Sequence, residues 1–318
     1  MNISYACDEA YIEQTVVSIT SLFENNSDEK NITIWFIDMG ISSESIQILQ
    51  NIALKYSRNL LVIRFDEIAY DLRLCKTGRH TPSVYAKIFF SRLPKEINRI
   101  LYLDSDTIVV DNLHEFYNMD LRGNVVAGVE TLHNERDSSK MLLRENEPII
   151  NDGVLLIDLL KWKENHFMEK CLNYINECEG MPPVLSEGTI NYICRGMISI
   201  INPRYNLMSG IVGQAHKKLE IITGRKYYTE GELELANNNP AIIHYLSGFF
   251  NRPWCSKCTH PLKDYYYRYK KMTIFSDSPL LNKKLSIRIK IIGILYKFLP
   301  ANIFVLVRNF VGFVKQSN

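Results

Sequence analysis

Arg99-Ile100-Leu101-Tyr102-Leu103-Asp104-Ser105-Asp106 reads as a buried strand that ends in two carboxylates. A short apolar run closed abruptly by polar residues is the pattern of a strand covered on both faces. In an open α/β sheet, ligands collect outside the carboxyl ends of the strands, which is where Asp104 and Asp106 fall. On extended backbone, residues two apart face the same way, so both carboxylates can reach one hard divalent cation that offsets their repulsion and bridges to phosphate oxygens. Taken alone, the triplet fits a surface turn or a strand-end cap equally well.

The same alternation extends outward in both directions. Residues 2–6 alternate as a short strand, the loop Cys7-Asp8-Glu9-Ala10-Tyr11 follows, and residues 15–23 repeat large apolar side chains at helical spacing. Residues 32–37 form a second strand pattern, Ser42 and Ser43 precede a helical one through Ile46, Leu49, Ile52 and Leu54, and residues 60–65 give a third strand. Periodicity is weak over residues 70–82, and helical character resumes over residues 84–93. A further apolar stretch lies at residues 124–129, and a strong strand is expected at residues 153–157. Strands alternating with helices predict a Rossmann-like, mostly parallel sheet covered on both faces. Residues 133–147 are polar and longer than an ordinary connection, which points to hidden secondary structure, a mobile loop or a functional lid. Without a repeat or a low-complexity linker, one compact body is expected.

The 318 residues carry 37 basic and 35 acidic side chains, net +2, but the charge is unevenly placed. Seven cations and no acid lie beyond Asp277, a +7 tail; the remaining 30 cations face all 35 acids, leaving a body at −5. No segment of that body supplies the dense basic footprint that phosphate-backbone binding requires, so nucleic acid is excluded as a partner. The opening MNISYACDEAY has no basic stretch followed by an apolar run and cleavage site. The seven scattered cysteines are odd in number and fit a reducing compartment, so a cytoplasmic location is expected. Cys255-Ser256-Lys257-Cys258, followed by His260, has the spacing of half a zinc site without the reciprocal pair, and is read as loop packing.

Four blocks taken together give the chain a family resemblance: Tyr5-Ala6-Cys7-Asp8-Glu9-Ala10-Tyr11; Leu101 to Asp106; Asn151-Asp152-Gly153-Val154-Leu155-Leu156-Ile157-Asp158-Leu159; and His244-Tyr245 through Arg252-Pro253-Trp254. The sequence resembles the family 8 glycosyltransferases, retaining enzymes of GT-A fold that use nucleotide-sugar donors, from the first strand to about Lys270. The resemblance implies a metal site of Asp104, Asp106 and His244, whose oxygen and nitrogen ligands suit Mn²⁺ or Mg²⁺. For His244 a satisfied core histidine is the alternative. The resemblance assigns the donor's base and ribose to Ala6, Asp8 and Tyr11, with a helix cap for Asp8 and a core contact for Tyr11 as the alternatives. It places Ser105 and Lys87 near the donor, Lys87 standing where the family commonly has arginine. Gly248 and Arg252 would hold the diphosphate, in a block longer than the family's usual spacing and with arginine in place of lysine.

By the same resemblance, Asn151 reaches donor sugar hydroxyls and Gly153 permits close backbone approach. Asp152 occupies a position that is commonly small, and either touches sugar or caps the strand entrance. Ser186 and Glu187 stand where many relatives have Asp-Gln; the family expectation is front-face transfer, with Glu187 as an alternative covalent nucleophile.

The implied function is metal-dependent, retaining transfer of a hexose from a UDP-sugar, UDP-glucose or UDP-galactose, to an oligosaccharide or glycolipid of a bacterial surface glycan such as lipopolysaccharide or capsule. A noncatalytic nucleotide-sugar-binding or membrane-associated assembly protein is the alternative. Residues 1–275 are expected to form one GT-A catalytic domain, its nucleotide-binding part being about 1–110, with a basic amphipathic extension over 276–318. In that extension Lys283, Lys284, Arg288, Lys290, Lys297, Arg308 and Lys315 alternate with apolar pieces too short to span a bilayer. Peripheral attachment to an anionic membrane, on the inner face of the cell membrane, is one reading. Packing of these apolar faces on the enzyme or another subunit is the other.

Overall fold

The computed structural model describes residues 1–75, 82–133, 135–144, 147–247, 250–283 and 287–314. Among the described residues, ten strands are distributed over two sheets: β1 Asn2–Cys7, β2 Thr33–Asp38, β3 Asn59–Arg64, β4 Arg99–Leu103, β5 Thr107–Val109, β6 Val126–Glu130, β7 Ile150–Asp158, β8 Ile198–Ile200, β9 Leu207–Met208 and β10 Ile242–His244. Seven of them form a sheet in the order β3-β2-β1-β4-β7-β6-β8. All neighbours in it are parallel except those of β7, which runs antiparallel to β4 and β6. Together with its flanking helices and a C-terminal helical extension this is the mostly parallel α/β architecture expected for a GT-A fold.

Strict alternation along the strands builds both faces. Ile3, Tyr5, Leu101, Leu103, Val154 and Leu156 belong to one core, whereas Ala6, Ile100, Tyr102, Leu155 and Ile157 belong to the other. The first core is covered by the helix Ile12–Asn25, the second by residues 85–93 and the helix Phe167–Glu177. The helix Ser43–Lys55 starts at Ser42, whose hydroxyl accepts from the Ser45 amide at 3.1 Å. Glu9 accepts from the Ser42 amide (2.8 Å) and the Ser45 hydroxyl (2.7 Å), tying the first loop to that helix and lowering the Glu9 pKa.

Two local expectations differ from the structure. Residues 82–92 form a 3₁₀ helix rather than an α-helix. Tyr85 to Phe90 are all buried, so no solvent face imposes the α-helical period there. Asp104, Ser105 and Asp106 lie on a turn, not on extended backbone: the Thr107 amide and hydroxyl both donate to the Asp104 carbonyl, at 3.2 and 2.8 Å. The polar stretch at 133–147 contains a short helix, Glu135–Lys140.

The second sheet, β5-β10-β9, pairs β10 antiparallel to β5 with His244 opposite Thr107. It packs through Ile108, Ile243 and Tyr245 on Val17 of the first helix and on Tyr266 and Tyr269 of the helix Lys263–Lys270.

The C-terminal helices Ile287–Phe298 and Ala301–Val314 are not detached from the body. Tyr296 and Phe304 pack on Ile222 of the helix His216–Thr223, and the Tyr296 hydroxyl donates to the Gly210 carbonyl at 2.7 Å. The opposite side stays open, with Ile287 76%, Ile291 51%, Ile294 57% and Phe298 72% exposed. Lys284 and Lys315 lie outside the described residues, as do the side chains of Arg288 and Arg308. Among the described residues no helix is long and apolar enough to cross a membrane.

Leu156 is fully buried at the centre of the sheet, opposite Leu101 on β4 and Ala127 on β6. Leu156→Ala is expected to cost about 3 kcal/mol of unfolding free energy, read from the urea midpoint at unchanged m-value.

Candidate metal and donor site

The reversed direction of β7 creates the site. Leu103 at the carboxyl end of β4 pairs with Val154 in the middle of β7, and the Asp104 amide donates to the Gly153 carbonyl at 2.7 Å. Asn151-Asp152-Gly153 therefore meets Asp104-Ser105-Asp106 at one sheet edge; a parallel β7 would carry it to the opposite edge. A Cβ at residue 153 would lie 2.4 Å from Asp104 Oδ2 and 2.5 Å from His244 Cε1, so only glycine fits between these two side chains.

The small sheet delivers the third member. His244 Nε2 lies 3.0 Å from Asp106 Oδ1 and 3.8 Å from Asp104 Oδ2. One ligand atom from each of Asp104, Asp106 and His244 falls within 4.8 Å of the others. His244 is fully buried, whereas 33% of the Asp104 side chain is open, which leaves an approach. The tautomer is set from behind. Asn151 Oδ1 accepts from the Gly153 amide (3.2 Å) and from Asn206 Nδ2 (2.9 Å), which turns Asn206 Oδ1 toward His244 Nδ1 at 2.9 Å. With Nδ1 donating, the Nε2 lone pair faces the two carboxylates, the arrangement a metal-ligating histidine needs. Two carboxylates and an imidazole so oriented fit a divalent cation.

Charge is balanced locally. Burial raises the Asp106 pKa, but His244 and Arg252 more than offset it and hold the carboxyl below its usual value. Burial lowers the His244 pKa, and the two aspartates reverse this to a net rise. Asp104 is raised by burial and by Asp106, with Lys87 and His244 pulling against them. Arg252 Nη2 donates to Asp106 Oδ2 (2.9 Å) and Nη1 to the Tyr11 hydroxyl (2.7 Å), so the late basic block joins the first loop across the carboxylate.

A second group lines the adjoining wall. Lys87 Nζ contacts both the carboxylate and the carbonyl of Asp152 at 2.9 Å, and lies 4.3 Å from the centre of the Tyr102 ring. The Ser186 hydroxyl donates to Asp152 Oδ2 (2.6 Å), and Asn151 Nδ2 donates to Glu187 Oε2 (2.9 Å). Burial and the Asp152 charge push the Glu187 pKa up to about 8. The helix Leu185–Ile193 that carries Ser186 and Glu187 starts with Val184 and Leu185 both at φ 57°, each costing about 1–3 kcal/mol. Here too one glycine is required, since a Cβ at Gly188 would lie 1.8 Å from the Pro183 carbonyl oxygen.

Asp104, Asp106, His244, Arg252 and Tyr11 thus form one group, and Lys87, Asn151, Asp152, Ser186 and Glu187 another, joined by Gly153. Other candidates have local partners. The Asp8 carboxylate caps a 3₁₀ turn by accepting from the Ala10 amide (3.2 Å), the Ser105 hydroxyl accepts from Thr15 (2.8 Å), and Ala6 is buried near the end of β1. Gly248 lies outside the described residues. Cys255 and Cys258 are free thiols; Cys258 Sγ contacts the Asn251 carbonyl (3.2 Å), and His260 Nε2 meets Ser209 Oγ (3.2 Å). Asn206 escaped sequence reading: it follows Asn202-Pro203-Arg204-Tyr205, a turn signal that gives no hint of the fully buried amide two residues before Met208.

The family model described as glycosyl transferase family 8 matches residues 2–258. General stress protein A of Bacillus subtilis (strain 168) is 26% identical over 289 residues, covering 89% of this chain and 98% of that protein. Lipopolysaccharide 1,2-glucosyltransferase of Escherichia coli (strain K12) is 25% identical over 273 residues, covering 84% and 76%. Among solved structures, an active-site mutant of LgtC superposes with a TM-score of 0.71 at 20% identity, covering 86% of this chain and 96% of that one. The glycosyltransferase GlyE of Streptococcus pneumoniae TIGR4 gives 0.60 at 22%, covering 85% and 60%.

Gly153→Ala should displace Asp104 or His244 and lower Mn²⁺ affinity at least about 10-fold by calorimetry, with the helical circular dichroism retained. Glu187 yields a pH signature. The folded chain keeps this proton up to about pH 8, while the unfolded chain loses it near the ordinary value of 4.5. Between these limits the folded state binds the extra proton, so this contribution to stability falls as pH rises. Glu187→Gln is expected to gain several degrees in Tm over the parent at about pH 8.5 and about none at pH 4.5; a pH-independent difference would refute the buried acid.

Proposed function

Because this chain belongs to glycosyl transferase family 8 and is a metal-dependent hexosyltransferase of that retaining type, we propose that it moves glucose or galactose from a UDP-sugar to an oligosaccharide or glycolipid acceptor of a bacterial surface glycan, lipopolysaccharide or capsule. The observation that carries this reading is the convergence of Asp104, Asp106 and His244, with Arg252 beside them, at the carboxyl end of β4. These three residues would hold Mn²⁺ or Mg²⁺, which supplies a Lewis acid for the leaving diphosphate. Arg252 adds a planar cationic fork at the same place. The name of the Escherichia coli relative supports a surface-glycan acceptor.

The wall of Asn151, Asp152, Ser186 and Glu187 is where the donor sugar is taken to lie, with Lys87 compensating Asp152. A Glu187 carboxyl that stays protonated at neutral pH is a hydrogen-bond donor to a sugar hydroxyl rather than a nucleophile, which favours front-face transfer. Ala6, Asp8, Tyr11, Ser105 and Gly248 complete the proposed donor contacts. Residues 1–275 are taken as the catalytic unit. Residues 276–318 would hold it peripherally on the inner face of the cell membrane, through the exposed Ile287, Ile291, Ile294 and Phe298, all on one helical face at spacings of four, three and four.

Purified protein incubated with UDP-glucose or UDP-galactose should release UDP only with Mn²⁺ or Mg²⁺ present. Asp106→Asn should reduce that release at least about 100-fold. Release unaffected by chelator would overturn the metal assignment, and release from neither donor with either metal would return the chain to a binding role.

A further inference from the structure

A cavity of about 700 Å³ lies between the C-terminal helix Ile287–Phe298 and the body. Its apolar lining includes Val212, Phe250, Ile294 and Phe298. Among the described residues its charged lining consists of Lys257, Lys290 and Lys297, with no carboxylate. Lys290 and Lys297 are seven residues apart, two helical turns, and so share one face of their helix, with Gly293 between them. All three lysines are exposed.

Both body walls of this cavity are close along the chain to residues of the candidate metal site. Residues 212–214 follow β9, which pairs with β10 and places Met208 beside His244. Phe250 and Asn251 immediately precede Arg252, which holds Asp106. The volume falls in the range of small-molecule sites. An apolar trough lined, among the described residues, by three cations and no anion is complementary to an amphiphile bearing a phosphate, and the exposed stripe Ile287, Ile291, Ile294 and Phe298 would join that trough to a hydrocarbon surface.

We propose that this cavity is the lipid-phosphate subsite of the acceptor: it holds the phosphate and first methylenes of a phospholipid-linked glycan whose sugar end faces the metal site. The inference rests on the glycosyltransferase reading above, and names the part of the acceptor that this chain grips. Lys257, Lys290 and Lys297 would neutralise the phosphate, while Val212, Phe250, Ile294 and Phe298 cover the chain.

Titration calorimetry of the full chain with dodecyl phosphate, dodecyl maltoside and inorganic phosphate, below the micelle concentrations, tests the binding. Dodecyl phosphate should bind at least about 10-fold more tightly than either of the others. The paired Lys290→Ala and Lys297→Ala variant should lose about 10-fold for dodecyl phosphate and little for dodecyl maltoside, while Gly293→Trp should weaken both. Equal affinity for the three probes, or variants that bind dodecyl phosphate like the parent, would overturn the site. For turnover, glucose linked to dodecyl phosphate should show a KM at least about 10-fold below that of free glucose, a preference lost in Gly293→Trp. Equal KM values would overturn the acceptor role even where the amphiphile binds. Metal-dependent UDP release by the unmodified protein without acceptor reports on the donor site separately: its absence counts against the enzymatic reading, and its presence without amphiphile discrimination counts against the cavity alone.

Discussion

One backbone hydrogen bond, from the Asp104 amide to the Gly153 carbonyl, fixes the relation between the two halves of the site. It exists because β7 runs against the direction of β4, so the last residue of β4 meets the middle of β7 and the first half of β7 extends past it over the site. Everything chemical at that edge depends on how close the two backbones come. Asp104 Oδ2 and His244 Cε1 already occupy the space a Cβ at 153 would need, and any larger residue there moves a proposed ligand. The glycine serves the metal cluster first, and its freedom of φ has no part in the explanation.

The second constraint is charge in a buried place. Four carboxylates, Asp104, Asp106, Asp152 and Glu187, crowd the site; the structure answers with two cationic groups, Arg252 and Lys87, the imidazole of His244 and one retained proton. Arg252 and His244 face Asp106, Lys87 faces Asp152, and Glu187 stays neutral. Asp104 is left with the longest contact to any of these, 3.8 Å from His244 Nε2, and the most open side chain of the metal cluster. A partly open carboxylate beside an oriented imidazole lone pair is what a divalent cation would complete. The same arithmetic separates the roles of the two basic residues. Arginine spans Asp106 and Tyr11 with two different nitrogens, which lysine could not do, whereas Lys87 uses one ammonium group on two oxygens of Asp152.

How much of this was legible in the sequence follows from the range over which each signal acts. The strands were legible because burial on both faces leaves continuous apolar runs, and the grouping of Asp104, Asp106 and His244 because the family resemblance joined blocks that lie far apart in the chain. The turn at Asp104-Ser105-Asp106 was not, since alternation cannot distinguish a strand's last residues from the first of a turn; the Thr107 hydroxyl and amide that close it on the Asp104 carbonyl come after the motif. Asn206 was invisible for a different reason. Its role is to relay orientation from Asn151 to His244, and a relay leaves no spacing pattern when its partners are 55 and 38 residues away. The direction of β7 also could not be read: an apolar strand looks the same in either sense, yet that direction decides which blocks meet.

The uneven charge of the chain takes on a structural meaning once the tail is placed. A +7 segment beside a −5 body invites a picture of a free appendage, but Tyr296, with its hydroxyl on the Gly210 carbonyl and its ring beneath the Lys218 ammonium at 4.4 Å, pins the first tail helix to the segment that follows β9. That segment is two steps from His244: Met208 pairs with it, and the Ser209 hydroxyl donates to its carbonyl at 3.3 Å. The tail therefore has an inner side built into the frame of the site and an outer side left apolar and cationic. Such a helix cannot shift on the body without disturbing Gly210, so a surface that engages its outer side meets an enzyme whose metal edge is held at a fixed orientation. Under the proposed peripheral attachment, the tail would act through position, setting the carboxylate cluster at a defined angle to the membrane surface.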